Sequence, residues 1–226
     1  MAGIVNYHNR GAEAVIYRVK IFGKDFIVKK RLDKPYRHEL FNKVFKEHRT
    51  RVEARILAHL RSIGLNVPAP IIVDAKNGVL VIEYVKGVSL SSIIGSLSDS
   101  ELSRVAGELG RQVAIMHSNK IYHGDLTLSN TIYSGEKVFI IDFGLAGYSD
   151  DVEEYAIDLH LLNRNLIAMY PSLADRFMAS FLHSYRDNFK GSFEEVKNRF
   201  LEIRVRGRYV DRELRKSVMR ERYVSE

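Results

Sequence analysis

The chain has 226 residues, of which 46% are hydrophobic, and its 35 Lys and Arg against 28 Asp and Glu give a formal net charge of +7. That apolar content supports a globular core, and no run approaches the roughly 18 apolar residues of a membrane helix, so we expect a cytoplasmic protein without a membrane anchor. The sequence has no cysteine, which excludes disulfides, thiolate metal sites and cysteine nucleophiles. Any metal must therefore be held by oxygen or imidazole ligands.

Two hairpins are predicted in the first third of the chain. Apolar or alternating runs at residues 14–22 and 25–32 form the first, and runs at residues 71–73 and 79–85 form the second around the turn dipeptide Asn77-Gly78. These runs predict a small antiparallel sheet at the start of the protein.

Between the hairpins, residues 49–61 predict a helix. Ile56, Leu57 and Leu60 fall on one face of it, and Glu53 lies within the same apolar stripe. A carboxylate at such a position requires a cationic partner, because burial of an unpaired charge is costly.

The second half of the chain predicts helices. Ser98 and Glu101 fit a capping box at the start of a helix with apolar positions at Leu102, Val105, Leu109, Val113 and Met116. Further helices are expected at residues 153–170, 172–189 and 192–203.

A polar loop and the strand after it form the most informative motif, which reads HGDLTLSN followed by VFIIDFGL. Asp125 and Asn130 lie five residues apart, and the apolar run 138–141 precedes Asp142, twelve residues after Asn130. This spacing resembles a kinase catalytic loop followed by DFG. The resemblance implies that Asp125 is the catalytic base and that Asn130 and Asp142 are Mg²⁺ ligands for a bound ATP.

Other parts of the protein-kinase pattern can be identified by their position. Lys29 matches the strand lysine that contacts the α- and β-phosphates, and Glu53, 24 residues later, is its expected ion-pair partner. Side chains alternate along a strand, so only one of Lys29 and Lys30 can face the site, and the register favours Lys29. Residues 81–85 resemble the hinge that connects the two lobes of a kinase. There the backbone of Glu83 and Val85 would form hydrogen bonds with the edge of the adenine ring.

Several positions depart from ordinary protein kinases. The glycine-rich loop is reduced to Gly11, Ala12, Glu13 and Ala14, which would contact phosphates through backbone N–H groups. Gly124 replaces the arginine that docks a phosphorylated activation loop, and Thr127 replaces the catalytic-loop lysine. Asp158 follows Asp142 by only sixteen residues and matches the buried aspartate that ties down the catalytic loop. The activation segment is therefore predicted to be short.

Taken together, these motifs are specific to one family. The segments 11–14, 34–37, 49–54 and 204–208, with HGDLTLSN and DFGL, resemble the small RIO-related atypical serine/threonine kinase of the KEOPS (EKC) complex. The resemblance implies a cytosolic kinase or ATPase that uses Mg²⁺ and ATP. It also implies partnership with a threonylcarbamoyltransferase and other KEOPS subunits in making threonylcarbamoyladenosine on tRNA. The roles of Lys34-Pro-Tyr-Arg37 and Arg49-Thr-Arg51 remain open between a solvated surface and a docking or positioning function.

The predicted fold is α+β, a bilobal protein-kinase-like fold with a small sheet and one main helix followed by a mostly helical lobe with a reduced activation segment. We expect the first lobe at residues 1–85, the second at 86–203 and a basic tail at 204–226. From Arg204 to Arg222 the tail carries eight Lys or Arg against three acids, so it is a candidate arm for tRNA phosphates, the alternative being a solvated tail.

Two other functions fit the same motifs. A small-molecule phosphotransferase of the aminoglycoside or choline kinase type shares the catalytic loop, but it usually carries a large substrate-binding insertion, and only about 140 residues follow Val85. A scaffold pseudokinase is the other alternative, and retention of the lysine, both aspartates and the asparagine argues against it.

Overall fold

The computed structural model describes residues 3–10 and 14–206, with residues 3–10 and Arg206 described by their backbone alone. The elements in chain order are β1 Gly3–Arg10, β2 Ala14–Ile21, β3 Lys24–Arg31, α1 Glu39–Ser62, β4 Pro70–Asp74, β5 Val79–Glu83, β6 Val88–Ser89, α2 Leu90–Ile93, α3 Asp99–Ser118, β7 Ile121–Tyr122, β8 Thr131–Tyr133, β9 Val138–Ile140, β10 Gly147–Tyr148, α4 Val152–Met169, α5 Pro171–Asn188 and α6 Phe193–Arg206.

The chain forms two compact units. Among the described residues, unit 1 comprises those up to Ile94 together with Ser129–Gly147, and unit 2 comprises Gly95–Leu128 and residues 148–206. Segment 129–147 belongs to unit 1 because β8 pairs with both β6 and β9 in a three-stranded sheet. The sequence-based division into lobes at residues 85 and 203 differs from these bounds and stays a prediction.

Unit 1 is built on a five-stranded antiparallel sheet with the strand order β1-β2-β3-β5-β4. Gly23 and Gly78 have positive φ angles of 77° and 68° in the two hairpin turns, a conformation that glycine adopts without steric cost. The two predicted hairpins are therefore present. In β3, Lys29 lies opposite Ile16 of β2 and Leu80 of β5.

Helix α1 packs against β4 and β5 and begins ten residues before the predicted start at residue 49. Leu40, Phe41, Val44 and Phe45 recur at helical spacing, so the sequence did carry a signal for this first part, although Leu40, Phe41 and Val44 are exposed in the structure. Further along, Ile56, Leu57 and Leu60 are buried as the pattern predicts.

Unit 2 is mostly helical. The capping box predicted for α3 is present: Ser98 accepts from the backbone of Glu101, and the Glu101 carboxylate accepts from the backbone of Ser98. Helix α3 packs on α5, and a Cβ on Gly110 would lie 2.2 Å from the Phe181 carbonyl oxygen, so this crossing requires glycine. Helix α4 packs on α5 and α6, and α4 and α5 match their predicted bounds within one residue.

Within the described ranges, no helix combines the length and the apolar character needed to cross a membrane.

Candidate active site

Unit 1 contains a pocket of about 510 Å³, a size typical of small-molecule sites. The residues that line it belong to β2, β3, α1, β5 and β8. Others lie in the segments just before β4 and β8 and just after β5 and β9. The predicted site residues among those that line it are Lys29, Glu53, Glu83, Val85, Asn130 and Asp142. Residues that are distant in the sequence are thus brought together around one pocket.

Lys29 lies on β3 and its side chain is buried, whereas the neighbouring Lys30 is exposed, as strand alternation predicts. Its ammonium donates to Glu53 Oε1 at 2.8 Å and to Asp142 Oδ1 at 2.5 Å. Burial by itself would lower the pKa of Lys29, but the carboxylates of Glu53 and Asp142 outweigh it and raise the pKa above its ordinary value. The lysine is therefore a charged group held at the wall of the pocket.

Glu53 is the buried carboxylate that the helical pattern singled out, and it has two cationic partners. Its second oxygen, Oε2, accepts from Arg31 Nη2 at 2.6 Å, and Arg31 is only 4% exposed. Arg31 is a further residue of the site that its position could have identified, since it is two residues after Lys29 on the same face of β3.

Asp142 adopts a left-handed conformation with φ of 62° and caps the short 3-10 helix Phe143–Leu145. Its Oδ1 accepts from the Gly144 backbone N–H at 3.2 Å. A Cβ on Gly144 would lie 3.0 Å from both Asp142 Oδ1 and Lys29 Nζ, so a side chain there would crowd the charged groups. The carboxylate thus has a defined orientation next to Lys29.

The residues after Asp142 are held by Arg49 of α1. This arginine belongs to the motif Arg49-Thr-Arg51, whose role the sequence left open. Its guanidinium donates to the carbonyl oxygens of Gly144 and, at 3.4 Å, Ala146. Arg49 precedes Glu53 by one helical turn, and this i, i+4 spacing is the signal that could have identified it.

Other predicted residues occupy the rest of the pocket. The Asn130 carbonyl accepts from Ile141 N–H at 2.9 Å, which holds the asparagine beside the residue preceding Asp142. Glu83 is tied to Ala69 twice, because its N–H donates to the Ala69 carbonyl at 2.9 Å and its carboxylate accepts from Ala69 N–H at 3.2 Å. Val85 is buried. The proposed adenine-binding roles of Glu83 and Val85 stay predictions.

The oxygen ligands in the pocket fit Mg²⁺. The Asp142 side chain is 41% exposed, and the Asn130 side chain lines the same pocket. Within residues 14–206, side chains of His, Asp and Glu form no group of three or more that could hold a metal. Mg²⁺ is usually held by one or two carboxylates together with substrate phosphates, so Asp142 and Asn130 are the residues that would hold it.

In unit 2, the loop that carries Asp125 is held by Asp158. The Asp158 carboxylate is fully buried and accepts from the backbone N–H groups of His123 at 2.6 Å and Gly124 at 2.8 Å, which confirms the expected contact. Its Oδ2 also lies 3.2 Å from His117 Nε2. The conformation of the loop is thus determined by a buried anion on α4.

Asp125 and Thr127 both lie in the part of this loop that belongs to unit 2. The Asp125 N–H donates to Nδ1 of the buried His123 at 3.2 Å, so His123 packs within the loop. The role of Asp125 as a base stays a prediction. Three phosphate-loop residues, Gly11, Ala12 and Glu13, lie outside the described residues, as does the tail from residue 207 onward, while Ala14 is buried at the start of β2.

Comparison with protein families shows a match to the RIO domain model over residues 10–167. A protein of Pyrococcus abyssi named KEOPS complex subunit Bud32 is 38% identical over 212 residues, covering 90% of this chain and 96% of the relative. A Methanothermobacter thermautotrophicus protein named probable bifunctional tRNA threonylcarbamoyladenosine biosynthesis protein is 36% identical, and the matched region spans 36% of its length. A Dictyostelium discoideum EKC/KEOPS complex subunit bud32 is 31% identical over 88% of this chain and 81% of that relative.

Among solved structures, the Rio2 kinase of Chaetomium thermophilum in an ADP/Mg²⁺-phosphoaspartate complex aligns with a TM-score of 0.64 at 15% identity, covering 99% of this chain and 72% of that one. This likeness confirms the predicted protein-kinase-like fold. With the family match and the identities above, it follows that the chain belongs to the RIO domain family, together with its Bud32 relatives.

Proposed function

We propose that the protein is an atypical kinase or ATPase that uses Mg²⁺ and ATP, and that it acts as a KEOPS subunit in threonylcarbamoyladenosine modification of tRNA. The proposal rests mainly on the buried Lys29, which lines a pocket of ligand size. Its Nζ lies 2.8 Å from Glu53 Oε1 and 2.5 Å from Asp142 Oδ1. A cation between two carboxylates is suited to bind phosphate oxygens on one side and to orient a metal ligand on the other.

In this proposal the chain's own residues have distinct roles. Lys29 contacts the α- and β-phosphates, and Glu53, held by Arg31, positions Lys29. Asn130 and Asp142 hold Mg²⁺, which offsets the phosphate charge when it is bound. The backbone of Glu83 and Val85 binds the adenine, and Asp125 takes the proton from the attacking oxygen. The backbone of residues 11–14 covers the phosphates.

The KEOPS assignment is supported by the relatives' names. The Pyrococcus relative, matched over almost its whole length, is named as a KEOPS subunit, and the bifunctional archaeal relatives are named for threonylcarbamoyladenosine biosynthesis. The chain spans about a third of those bifunctional proteins. We therefore propose other KEOPS subunits as partners, a threonylcarbamoyltransferase among them, and a cytoplasmic location.

The first test is ATP turnover by the purified full-length chain. We expect turnover with Mg²⁺, none with excess chelator, and none in Asp142→Asn, because the substitution removes a metal-binding charge. Asp150→Asn is the matched control, since Asp150 is exposed and forms a surface ion pair with Lys120. Unchanged turnover in a folded Asp142→Asn protein would refute the proposal.

The second test separates kinase from ATPase. The fate of the γ-phosphate, transferred to protein or released to water, should be followed with and without tRNA and the partner transferase. Stimulated release by both partners would assign ATP hydrolysis, whereas transfer to a partner side chain would assign protein phosphorylation. Because the segment between Asp142 and Asp158 is short, phosphatase treatment should leave the initial rate unchanged and generic peptides should be poor substrates.

The third test concerns the tail. If residues after Arg206 contact tRNA phosphates, tRNA affinity should fall steeply with salt, and truncation after Arg206 should flatten that dependence because fewer counterions are released. A truncated, folded chain with the same salt slope would remove the nucleic-acid role of the tail.

A further inference from the structure

The motif Arg49-Thr-Arg51 on α1 contains two arginines with different surroundings. Arg49 is half-buried and donates to the carbonyl oxygens of Gly144 and Ala146. Arg51 is exposed and forms a surface ion pair with Glu47 at 2.5 Å. The pair thus offers a built-in comparison between an arginine that contacts the segment after Asp142 and one that does not.

Helix α1 reaches the Asp142 segment by two routes within unit 1. One turn after Arg49, Glu53 holds Lys29, which contacts the Asp142 carboxylate. Arg49 itself binds the backbone of the segment two and four residues after Asp142. The first route fixes the side chain of Asp142, and the second fixes the turn on which that side chain is mounted.

This turn needs external support. Asp142 has a left-handed φ of 62°, a conformation that costs energy for any residue other than glycine. Within the turn, the Gly144 N–H donates to Oδ1 of the Asp142 carboxylate at 3.2 Å. A guanidinium that binds two carbonyls of the turn lowers the entropy that the segment would otherwise gain by opening.

We propose that Arg49 is a positioning residue for Asp142: by binding the Gly144 and Ala146 carbonyls, it keeps the Asp142 carboxylate aligned for Mg²⁺. The inference deepens the proposed function and rests on it for the metal. The Arg49 guanidinium and its two carbonyl acceptors all belong to the chain. These bonds therefore order the segment without phosphorylation. The arginine fork can bind both carbonyls at once, whereas a lysine at this position offers a single ammonium.

The first experiment is amide hydrogen exchange of residues 142–147 in the full-length chain without nucleotide. Arg49→Met should accelerate exchange about tenfold, because two bonds to a charged donor are lost, and Arg49→Lys should fall between Met and wild type. Arg51→Met is the control and should exchange as wild type does. Exchange in Arg49→Met equal to that in Arg51→Met would overturn the proposal.

The second experiment measures metal binding by Mn²⁺ paramagnetic resonance with ADP, and ADP binding without metal by calorimetry. Arg49→Met should raise the half-saturating Mn²⁺ about tenfold and leave metal-free ADP affinity unchanged. An unchanged Mn²⁺ requirement, or an equal loss of metal-free ADP binding, would overturn the positioning role. If wild type binds no ADP at all, the proposed function fails, and the exchange experiment still decides whether Arg49 orders the segment.

Discussion

Each unit contains a buried carboxylate, and the two carboxylates accept hydrogen bonds from different kinds of donor. In unit 1, Glu53 accepts from two side-chain cations, Lys29 at 2.8 Å and Arg31 at 2.6 Å. In unit 2, Asp158 accepts from two backbone amides, at 2.6 and 2.8 Å, and its Oδ2 also lies 3.2 Å from Nε2 of the buried His117. Both carboxylates are at most 2% exposed, so burial does not distinguish them.

The nature of the partners does distinguish them. A side-chain cation such as Lys29 can exchange one of its carboxylate partners for an incoming phosphate, whereas backbone amides cannot leave the loop they belong to. The Glu53 cluster is therefore suited to bind an anionic ligand, and the Asp158 cluster is suited to give a loop one conformation. If this contrast holds, ligand binding and turnover should be separable by mutation.

The largest separation is expected for Asp125→Asn. Turnover should fall about 100- to 10,000-fold, the range for loss of a general base, because Asn cannot accept the proton. Nucleotide binding should stay near the wild-type value, since Asp125 acts on the attacking oxygen and not on ATP. Turnover rates and calorimetric ADP affinities measured on the same preparation test this, and a parallel loss of affinity would show that Asp125 supports the structure instead.

Glu53→Gln should have the next largest effect, here on stability. The substitution keeps the shape but leaves Arg31 and Lys29 facing a neutral amide, and removing one partner of a buried ion pair costs about 3–5 kcal/mol. Urea unfolding measures the change in free energy. Glu47→Gln is the control, because Glu47 pairs with an exposed arginine on the same helix and should change stability by less than about 1 kcal/mol. Equal effects of the two substitutions would contradict the ion-pair account.

Asp158→Asn should destabilise the protein by about 2–3 kcal/mol, because the amide cannot accept from both backbone N–H groups and its own N–H₂ group faces a donor. Unlike Glu53→Gln, it should also increase amide exchange in residues 123–128, where the loop loses its anchor. Protection in that segment equal to wild type would mean that the loop is held by other contacts.

The smallest expected effect is a pH dependence caused by Lys29. Its folded-state pKa is raised above the ordinary value of 10.5, so its contribution to stability is complete below that pH and is lost as the pH rises through the folded pKa. The difference in unfolding free energy between wild type and Lys29→Met should therefore shift in favour of the variant above about pH 10.5. Urea unfolding of wild type and Lys29→Met across this pH range is the measurement, and a constant difference would contradict the ion pairing of Lys29.

Much of this arrangement could be predicted from the sequence because it depends on local periodicity. Alternation along β3 distinguished Lys29 from Lys30. The 3.6-residue helical period showed that Glu53 is a carboxylate within an apolar stripe, and the Ser98 capping box located the start of α3. Asn130 and Asp142, which the motif spacing singled out, both line the pocket, and their role as Mg²⁺ ligands stays a prediction.

The remaining parts depend on contacts between distant segments. Arg31 and Arg49 are two of 35 Lys and Arg residues; their spacing from Lys29 and Glu53 marks them in the sequence, but their acceptors are known only from the fold. The acceptors of Arg49 are backbone carbonyls, which leave no trace in side-chain identity. The start of α1 at Glu39 was not predicted, although Leu40, Phe41 and Val44 recur at helical spacing.

We propose that Lys29, and not its neighbour Lys30, is part of an anion site in unit 1. The decisive measurement is calorimetric titration of ADP with Mg²⁺ into wild type, Lys29→Met and Lys30→Met, with circular dichroism as a check that each variant is folded. Loss of one charge-assisted contact to phosphate predicts about 10- to 100-fold weaker binding in Lys29→Met and wild-type affinity in Lys30→Met. Equal affinities in the two variants would contradict the claim.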